Sequence, residues 1–277
     1  MDRTVFLREC GGRWYLPVIG LEVHVELKTR SKMFCACPVG FGDEPNTNIC
    51  PVCTGQPGAL PVPNAQAVRY ALIVAHALQM HTINRRSVFV RKNYYYPDLP
   101  KNYQISQYEL PIATGGCLEV RAVRYRPPDN AHVPGIVESA PGLRPFTVPY
   151  PVRISRIHLE EDAGKLLHDI GSRSLDHTLV DYNRVATPLL EIVTEPCIHC
   201  PADAVAYLET LQRSLRHLGV SDCDMEKGAF RCDANVSIAE TPDGSDGYLL
   251  GVKTELKNMN SFEAVRGALA YEIERHM

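Results

Sequence analysis

The chain is organised around one alternating stretch near its start: Val18-Ile19-Gly20-Leu21-Glu22-Val23-His24-Val25-Glu26-Leu27. From Leu21 onward apolar residues occupy every second position, and Glu22, His24 and Glu26 stand between them. Successive side chains of a β-strand point to opposite faces, so the pattern predicts a strand with three ionisable groups on one face. Same-face neighbours lie about 7 Å apart, which suits ligands that share a cation or flank a phosphate. A half-buried strand with a merely solvated polar face is the simpler alternative.

The bulk composition is that of an ordinary globular protein. The 277 residues are 45% hydrophobic and 22% charged, so the chain can bury a large core and is not disordered. A formal net charge of −3 argues against a protein that mainly neutralises a nucleic-acid backbone. Apolar runs long enough to cross a membrane are absent from the sequence, and residues 1–17 do not form a presequence. We therefore expect a cytoplasmic protein with no membrane partner.

The cysteines predict a metal site. Ten cysteines without an export signal indicate reduced thiols, and four of them form two close pairs, Cys35/Cys37 and Cys50/Cys53. The residues between the pairs are rich in Gly, Pro, Asn and Asp. This spacing predicts a small zinc knuckle over about residues 33–55, with a structural role because four thiolates leave no open position on the metal. Free buried thiols are the alternative, and the first pair is Cys-x-Cys rather than Cys-x-x-Cys.

The segment 84–104 is the most unusual part of the sequence. It combines a short predicted strand with three consecutive tyrosines, two prolines and a group of basic residues. Tyrosines offer stacking surface with a hydroxyl group, and prolines fix the backbone. The pattern indicates either a tyrosine-rich turn over the core or an anion-binding loop, such as one that holds ATP phosphates. The residues that favour the second interpretation are Arg91, Lys92, Tyr96, Asp98 and Lys101.

Further strands carry carboxylates. Residues 152–159 form a predicted strand that ends in Glu160-Glu161-Asp162-Ala163-Gly164-Lys165, where three adjacent acids followed by Gly-Lys suggest a metal beside a phosphate. Glu191 lies inside the apolar strand 189–193, and a buried carboxylate requires a partner, either an arginine or a metal. The region 121–151, rich in proline and without a clear pattern, is predicted to be a surface excursion.

The last third predicts two helices and a hairpin. Residues 201–218 have the apolar stripe of an amphipathic helix, which Pro201 begins and Gly219 ends. Strands at 231–238 and 248–257 form the hairpin, with polar groups on one face from Asp233, Asn235, Glu255 and Lys257. A capping box of Asn260 and Glu263 predicts the start of a final helix.

These elements together predict an α+β fold, a mostly antiparallel sheet with helices on one face and a small zinc knuckle. The opposite, polar face would carry Glu22, His24, Glu161, Glu191, Asp233 and Glu255. Carboxylates with a single imidazole favour Mg²⁺ or Mn²⁺ over zinc. The sequence lacks both the P-loop and the Gly-x-Gly-x-x-Gly motif, so a metal-dependent phosphoryl-transfer site on a sheet is the remaining route to a nucleotide.

Several motifs closely resemble one family, the B subunit of aspartyl/glutamyl-tRNA amidotransferase. The resemblance runs in order from Val18 to the end of the chain. It rests on residues 20–27 (GLEVHVEL), 91–101 (RKNYYYPDLPK), 158–165 (HLEEDAGK), 188–193 (PLLEIV), 231–237 (RCDANVS) and 255–261 (ELKNMNS).

The resemblance implies a function and a site. Members of the family use ATP and Mg²⁺ to phosphorylate the side-chain carboxylate of Glu or Asp mis-attached to tRNA(Gln) or tRNA(Asn). Ammonia from a glutaminase A subunit then gives the amide, and a small C subunit holds the two larger subunits together. Residues 1–277 would form the catalytic domain, a cradle of the glutamine synthetase and guanido kinase type. Implied Mg²⁺ ligands are His24, Glu161 and Glu191, with Glu22 and Glu255 as further catalytic residues. Implied nucleotide-binding residues are Arg91, Lys92, Tyr96, Asp98, Lys101, Lys165, Asp233, Asn235 and Lys257.

The sequence departs from this family at its C-terminus. Family members continue with a helical domain and a tail that engages tRNA, and neither follows Met277, so we expect reduced tRNA affinity. Only a subset of the family has the four knuckle cysteines. Two alternatives remain: a non-catalytic zinc-knuckle scaffold that binds tRNA, and the archaeal Glu-specific paralogue. The paralogue carries a large inserted domain, for which these 277 residues leave no room.

Overall fold

The fold is described from a computed structural model, over residues 6–126, 144–241 and 249–277. Within these ranges the chain forms a large sheet, a separate two-stranded sheet and three helices. The elements in chain order are β1 (Arg8–Cys10), β2 (Arg13–Glu26), α1 (Ala65–Ala77), β3 (Thr82–Ile83), β4 (Val88–Asn93), β5 (Tyr103–Leu110), β6 (Ala113–Arg126), β7 (Arg144–Glu161), β8 (Lys165–Ile170), β9 (Arg173–Asp181), β10 (Pro188–Thr194), α2 (Pro201–His217), β11 (Phe230–Thr241), β12 (Leu249–Leu250), β13 (Thr254–Met259) and α3 (Phe262–His276).

The large sheet is antiparallel at every described pairing. Its main path runs β12-β11-β2-β10-β7-β5-β4, with β1 beside β2, β13 beside β11, and β3 and β6 continuing from β7. The predicted α+β class with a mostly antiparallel sheet is confirmed, and the cradle type remains a prediction. β2 lies between β10 and β11, so the alternating stretch at residues 18–27 lies in the interior of the sheet.

The alternation of β2 is present in the structure. Leu21, Val23 and Val25 are fully buried, whereas the intervening Glu22 and His24 are partly exposed. β10 differs because every one of its residues is buried, which matches its nearly continuous apolar sequence. The two strands together give the sheet an apolar face for the core and a polar face on which carboxylates and imidazoles collect.

The three helices pack on the apolar face, in one core with the strands. Asn64 caps α1 by accepting from the amides of Gln66 and Ala67, and α2 begins at Pro201 as predicted. The predicted cap of the last helix is wrong by one residue: Ser261 caps α3, with the Ala264 amide donating to its Oγ at 3.0 Å. Among the helices of the described residues, none is long and apolar enough to cross a membrane.

The predicted surface excursion over 121–151 is wrong for its described parts. Residues 121–126 belong to β6 and residues 144–151 to β7, and these strands pair in a long antiparallel ladder. Pro145, Pro149 and Pro151 interrupt the sequence pattern, yet they stand in a stretch that pairs only with β6 among the described strands. Proline is compatible with a strand when its missing N–H would face away from the neighbour. Residues 127–143 lie outside the described part of the chain.

Candidate active site

The strand register brings four ionisable side chains into one row on the polar face. His24 on β2 lies directly opposite Arg231 on β11 and Glu191 on β10, and Glu191 lies opposite His158 on β7. Residues directly opposite each other in an antiparallel pair point to the same face. Glu160, two positions beyond His158, points to this face as well.

His24 and Glu191 of this row form, together with Glu160, a group that could hold a metal ion. The nearest ligand atoms of His24, Glu160 and Glu191 all lie within 4.8 Å of one another. His24 Nε2 is 3.6 Å from Glu160 Oε1 and 3.5 Å from Glu191 Oε2. Both carboxylates are buried, and the two carboxylates with one imidazole form a donor set that fits Mg²⁺ or Mn²⁺. The residues present therefore fit the predicted type of cation.

His158 supports both carboxylates from the neighbouring strand. Its Nε2 is 3.2 Å from Glu191 Oε2 and 3.8 Å from Glu160 Oε2, and the side chain is 1% exposed. Burial alone would lower the pKa of His158, but hydrogen bonds to Glu160 and Glu191 outweigh it and raise that pKa to about 9. The same balance raises the pKa of His24. Burial would raise the pKa of Glu191, but hydrogen bonds from both imidazoles depress it, so the group is a tightly coupled set of opposite charges.

The predicted magnesium ligand Glu161 does not belong to this group. β7 continues its alternation to Glu161, so this side chain points to the face opposite that of Glu160. There its carboxylate forms a fully buried ion pair with Lys101 and accepts the Ile105 amide at 2.9 Å. The run of three acids in the sequence did not reveal which of them shares the face of His24.

The cation group lies on the floor of an open cavity of about 1740 Å³. Most of the sequence-predicted residues line this cavity: Glu22, His24, Lys92, Tyr96, Asp98, Lys165, Glu191, Asp233, Glu255 and Lys257. Lys257 lies 3.5 Å from Asp233 and 3.2 Å from Glu255, so these three residues of the hairpin form a small ionic cluster at one side. The cavity wall therefore carries both ammonium and carboxylate groups.

Three predicted nucleotide-binding residues are engaged elsewhere. The Arg91 guanidinium lies 4.9 Å from the centroid of the Tyr103 ring, and Lys101 is the partner of Glu161. Asn235 donates from Nδ2 to Glu22 Oε1 at 3.0 Å, so it orients a cavity residue. These three are not among the residues that line the cavity.

Sequence reasoning missed several lining residues. His158 and Arg156 precede Glu160 at two-residue steps, so strand alternation counted back from Glu160 would have found both. Arg156 lies 3.8 Å from Glu191 and 4.7 Å from the centroid of the Tyr108 ring. Tyr108 carried no recognisable signal, because only the pairing of β5 with β7 brings it to the cavity.

A second charged network borders the group. The buried Asp162 carboxylate accepts hydrogen bonds from both terminal nitrogens of Arg231, at 2.9 and 3.1 Å. It also lies 3.6 Å from Arg184 Nε. Burial would raise the pKa of Asp162, but the charges of the two arginines outweigh it and depress that pKa. Burial, and next the charge of Asp162, raise the pKa of Glu26 to about 6. Arg231 thus carries a positive charge into the cavity that is held in place by a buried acid.

The four knuckle cysteines converge as predicted. The sulfurs of Cys35, Cys37, Cys50 and Cys53 all lie within 4.8 Å of one another, and those of Cys50 and Cys53 are 3.9 Å apart. Tetrahedral zinc with bonds of about 2.3 Å places sulfurs about 3.8 Å apart. The Cys50 amide also donates to Cys53 Sγ at 3.2 Å. This donor set fits a structural zinc ion.

The knuckle packs against one wall of the cavity. Cys53 packs with Val185 and Ala186, and the Met33 amide donates to the Ala186 carbonyl at 2.7 Å. The Asn48 amide donates to Asn183 Oδ1 at 2.8 Å, and Asn183 lines the cavity. A metal at the cysteines would therefore stabilise the segment 182–187, which leads directly into β10 and Glu191.

The fold and the site define a domain built on an antiparallel sheet, in which a carboxylate–histidine group that could hold a cation lines a charged cavity. Comparison with known families agrees with this description. Residues 17–277 match the family model described as the GatB/GatE catalytic domain, and the chain belongs to that family.

Curated relatives are similar over nearly the whole chain. A protein of Moorella thermoacetica is 52% identical over 263 residues, covering 95% of this chain and 49% of the relative. Relatives from Thermotoga maritima and Persephonella marina are 51% and 48% identical, each covering 94% of this chain. All three are named as the B subunit of aspartyl/glutamyl-tRNA(Asn/Gln) amidotransferase. The chain spans about half the length of these relatives.

Proposed function

We propose that this chain is the carboxylate-activating domain of an aminoacyl-tRNA amidotransferase. It would use ATP to phosphorylate the side-chain carboxylate of Glu mis-attached to tRNA(Gln), of Asp mis-attached to tRNA(Asn), or of both. The observation that carries the proposal is the group of His24, Glu160 and Glu191 on the floor of a cavity large enough for a nucleotide and an aminoacyl end. Membership of the GatB/GatE catalytic domain family supports it.

His24, Glu160 and Glu191 would hold a magnesium ion. When bound there, the ion offsets the charge of phosphates that meet a carboxylate. His158 Nε2 lies 3.2 Å from Glu191 Oε2, and Arg156 Nη2 lies 3.8 Å from Glu191 Oε1. These two contacts keep Glu191 oriented toward His24. Outer contacts of this kind fix the direction of a ligand and are worth about 10–100-fold in metal affinity. Glu22, on β2 like His24, and Glu255 on β13 would act as further catalytic carboxylates.

The nucleotide phosphates would be bound by cationic groups around the cavity. Lys92, Lys165 and Lys257 line it from three different parts of the chain, and Arg231 contributes a guanidinium anchored by Asp162. Lys92 also lies 4.9 Å from the centroid of the Tyr94 ring. Tyr96 and Asp98 also line the cavity, so we assign this tyrosine-rich loop to nucleotide binding. Asn235 takes part by holding Glu22, and Asp233 by holding Lys257.

The reaction follows from the poor reactivity of a free carboxylate. An oxygen of the substrate carboxylate attacks the γ-phosphorus of ATP, the bond from that phosphorus to ADP breaks, and an acyl phosphate forms. The nitrogen of ammonia then bonds to the acyl carbon and the carbon–oxygen bond to phosphate breaks. One proton of ammonia leaves with the phosphate, which gives the side-chain amide. The cavity residues position both partners and stabilise the transferred charge.

The ammonia and the tRNA imply partners. A glutaminase A subunit would supply ammonia, and a small C subunit would join the two larger subunits, in the cytoplasm where tRNA is charged. The zinc knuckle would then be structural, since its four thiolates leave no position for a substrate.

The test is ADP formation by the chain with added A and C subunits. We expect it to depend on mischarged Glu-tRNA(Gln) or Asp-tRNA(Asn), with uncharged tRNA as the negative control, and to yield amidated aminoacyl-tRNA. Glu160→Gln should abolish it, whereas Glu119→Gln, an exposed glutamate on β6 away from the cavity, should not. A tRNA-binding scaffold without catalysis predicts tRNA retention with no ADP formation. ADP formation that survives Glu160→Gln would contradict the proposed site.

A further inference from the structure

Lys32 is a fully buried lysine beside the four-cysteine cluster. Its side chain is 0% exposed, and its Nζ lies 3.6 Å from Cys53 Sγ and 3.4 Å from the Tyr182 carbonyl oxygen. Lysine is almost never fully buried unless it is paired with an opposite charge. A carbonyl oxygen is a weak partner for a buried ammonium, so the sulfur is the partner that accounts for this position.

The metal centre has the charge that Lys32 would balance. Four thiolates around one Zn²⁺ carry a net charge of −2, and a buried net charge is costly. Cys35, Cys37 and Cys50 are partly exposed, so water can solvate their side of the cluster. Cys53 is 1% exposed and packs with Val185 and Ala186, so it is the cluster's one buried cysteine. The Lys32 ammonium thus lies at the sulfur that water solvates least.

We propose that Lys32 is a charge-balancing residue of the zinc centre, one that raises the affinity of the knuckle for the metal. The backbone keeps it in place: the Lys32 amide donates to the Cys37 carbonyl at 3.0 Å, and the next residue donates to Ala186.

The second contact of Lys32 links the metal to the cavity wall. The Tyr182 carbonyl that approaches Nζ precedes Asn183 and Arg184, both of which line the cavity. Arg184 donates to the carbonyls of Ala163 and Gly164 at 3.0 and 2.6 Å. Lys32 therefore connects the metal centre to the segment that orders one side of the candidate active site.

The test measures zinc affinity rather than activity. The whole chain is purified with zinc, and dissociation constants are obtained by competition with a chromophoric chelator. Lys32→Met should bind zinc about 10–100-fold more weakly, the range for outer contacts of a metal site. Lys32→Arg should stay within a few-fold of the parent chain. Lys28→Met, whose side chain is 60% exposed, is the matched control and should have no effect. Cobalt substitution should give a tetrahedral thiolate spectrum in each variant.

A charge cycle separates balancing from packing. Cys37→His replaces a thiolate with a neutral imidazole and reduces the net charge of the centre to −1. Lys32→Met should then weaken zinc binding less in the Cys37→His background than in the parent. Equal weakening in both backgrounds, or unchanged affinity in Lys32→Met, would overturn the proposal.

Lys32→Gln is the second neutral variant, since it keeps a donor for the Tyr182 carbonyl without the charge. If Lys32→Met fails to fold, Lys32→Gln takes its place and should bind zinc about 10–100-fold more weakly than the parent chain. If neither neutral variant folds in saturating zinc, Lys32→Arg decides: affinity within a few-fold of the parent supports charge balancing, and a loss of about 10-fold or more would overturn it. A parent chain that binds no zinc would reject it as well.

Discussion

Glu160 and Glu161 are adjacent in the chain, yet their carboxylates belong to two different networks on opposite faces of the sheet. Glu160 lies 3.6 Å from His24 in the cation group, whereas Glu161 is paired with Lys101 beneath the sheet. The cause is the two-residue period of β7, which sends neighbouring side chains to opposite sides. The two residues should therefore respond very differently to the same substitution.

The Lys101–Glu161 pair should control stability. Both side chains are buried, at 3% and 0% exposure, so removing one partner leaves an uncompensated charge. We expect Lys101→Met to lower the free energy of unfolding by about 3–5 kcal/mol. The double variant Lys101→Met/Glu161→Gln should recover a large part of that loss, because neither charge is left alone. Urea unfolding measures both, and a double variant no more stable than Lys101→Met would contradict the pairing.

Removal of zinc should loosen one wall of the cavity. The knuckle contacts the segment 182–187 through Ala186, Cys53 and Asn183, so the segment loses support when the thiolates are no longer held together. We expect Cys50→Ser to lower Tm by about 5–10 °C, the effect of losing a bound ligand from a protein of this size. Hydrogen exchange of residues 182–187 should become faster.

The control for that experiment is Cys10→Ser, an exposed cysteine outside the cluster. It should leave both Tm and exchange unchanged. Equal exchange at 182–187 with and without zinc would show that the knuckle does not order this wall.

The last helix should be stabilised by Glu272 in a pH-dependent way. Hydrogen bonds from Arg275 and Thr254 lower the pKa of Glu272 to about 2, from an ordinary 4.5. A depressed carboxyl pKa stabilises the fold above pH 4.5, and this contribution is lost as the pH falls from 4.5 to 2. Because the Arg275 side chain is 53% exposed, screening limits the gain to about 1 kcal/mol.

Glu272→Gln should accordingly be less stable than the parent at pH 7, and the two proteins should converge near pH 2. Thermal unfolding across this range measures the difference. Glu274→Gln, an exposed glutamate of the same helix, should follow the parent at every pH. A Glu272→Gln deficit that persists at pH 2 would rule out the charge as its cause.

Local patterns predicted part of the strands and helices. Alternation identified β2, the 3.6-residue stripe and Pro201 identified α2, and paired cysteines identified the knuckle, because each signal lies within about 20 residues of sequence. β6 and the first half of β7, residues 144–151, escaped this approach. The prolines of β7 disguise a ladder that its one-sided pairing with β6 allows.

The site was only partly predictable because it depends on register. The sequence indicated that the Glu191 carboxylate needs a partner, an arginine or a metal. It could not show that His24 and His158 are the side chains beside it. Likewise, Arg124 bonds Asp203 at 2.6 and 2.8 Å across 79 positions, and no local pattern connects the two. Long-range pairing determines which charges meet, whereas local periodicity determines only the face on which each one stands.

The proposed chemistry depends on a cation held by His24, Glu160 and Glu191. Its sharpest test is Mn²⁺ binding, followed by the loss of the free-ion signal in electron paramagnetic resonance. We predict one site in the parent chain that Glu160→Gln weakens at least about 10-fold and that Glu161→Gln, despite a lower stability, leaves unchanged. Weakening by Glu161→Gln with full retention in Glu160→Gln would contradict this assignment.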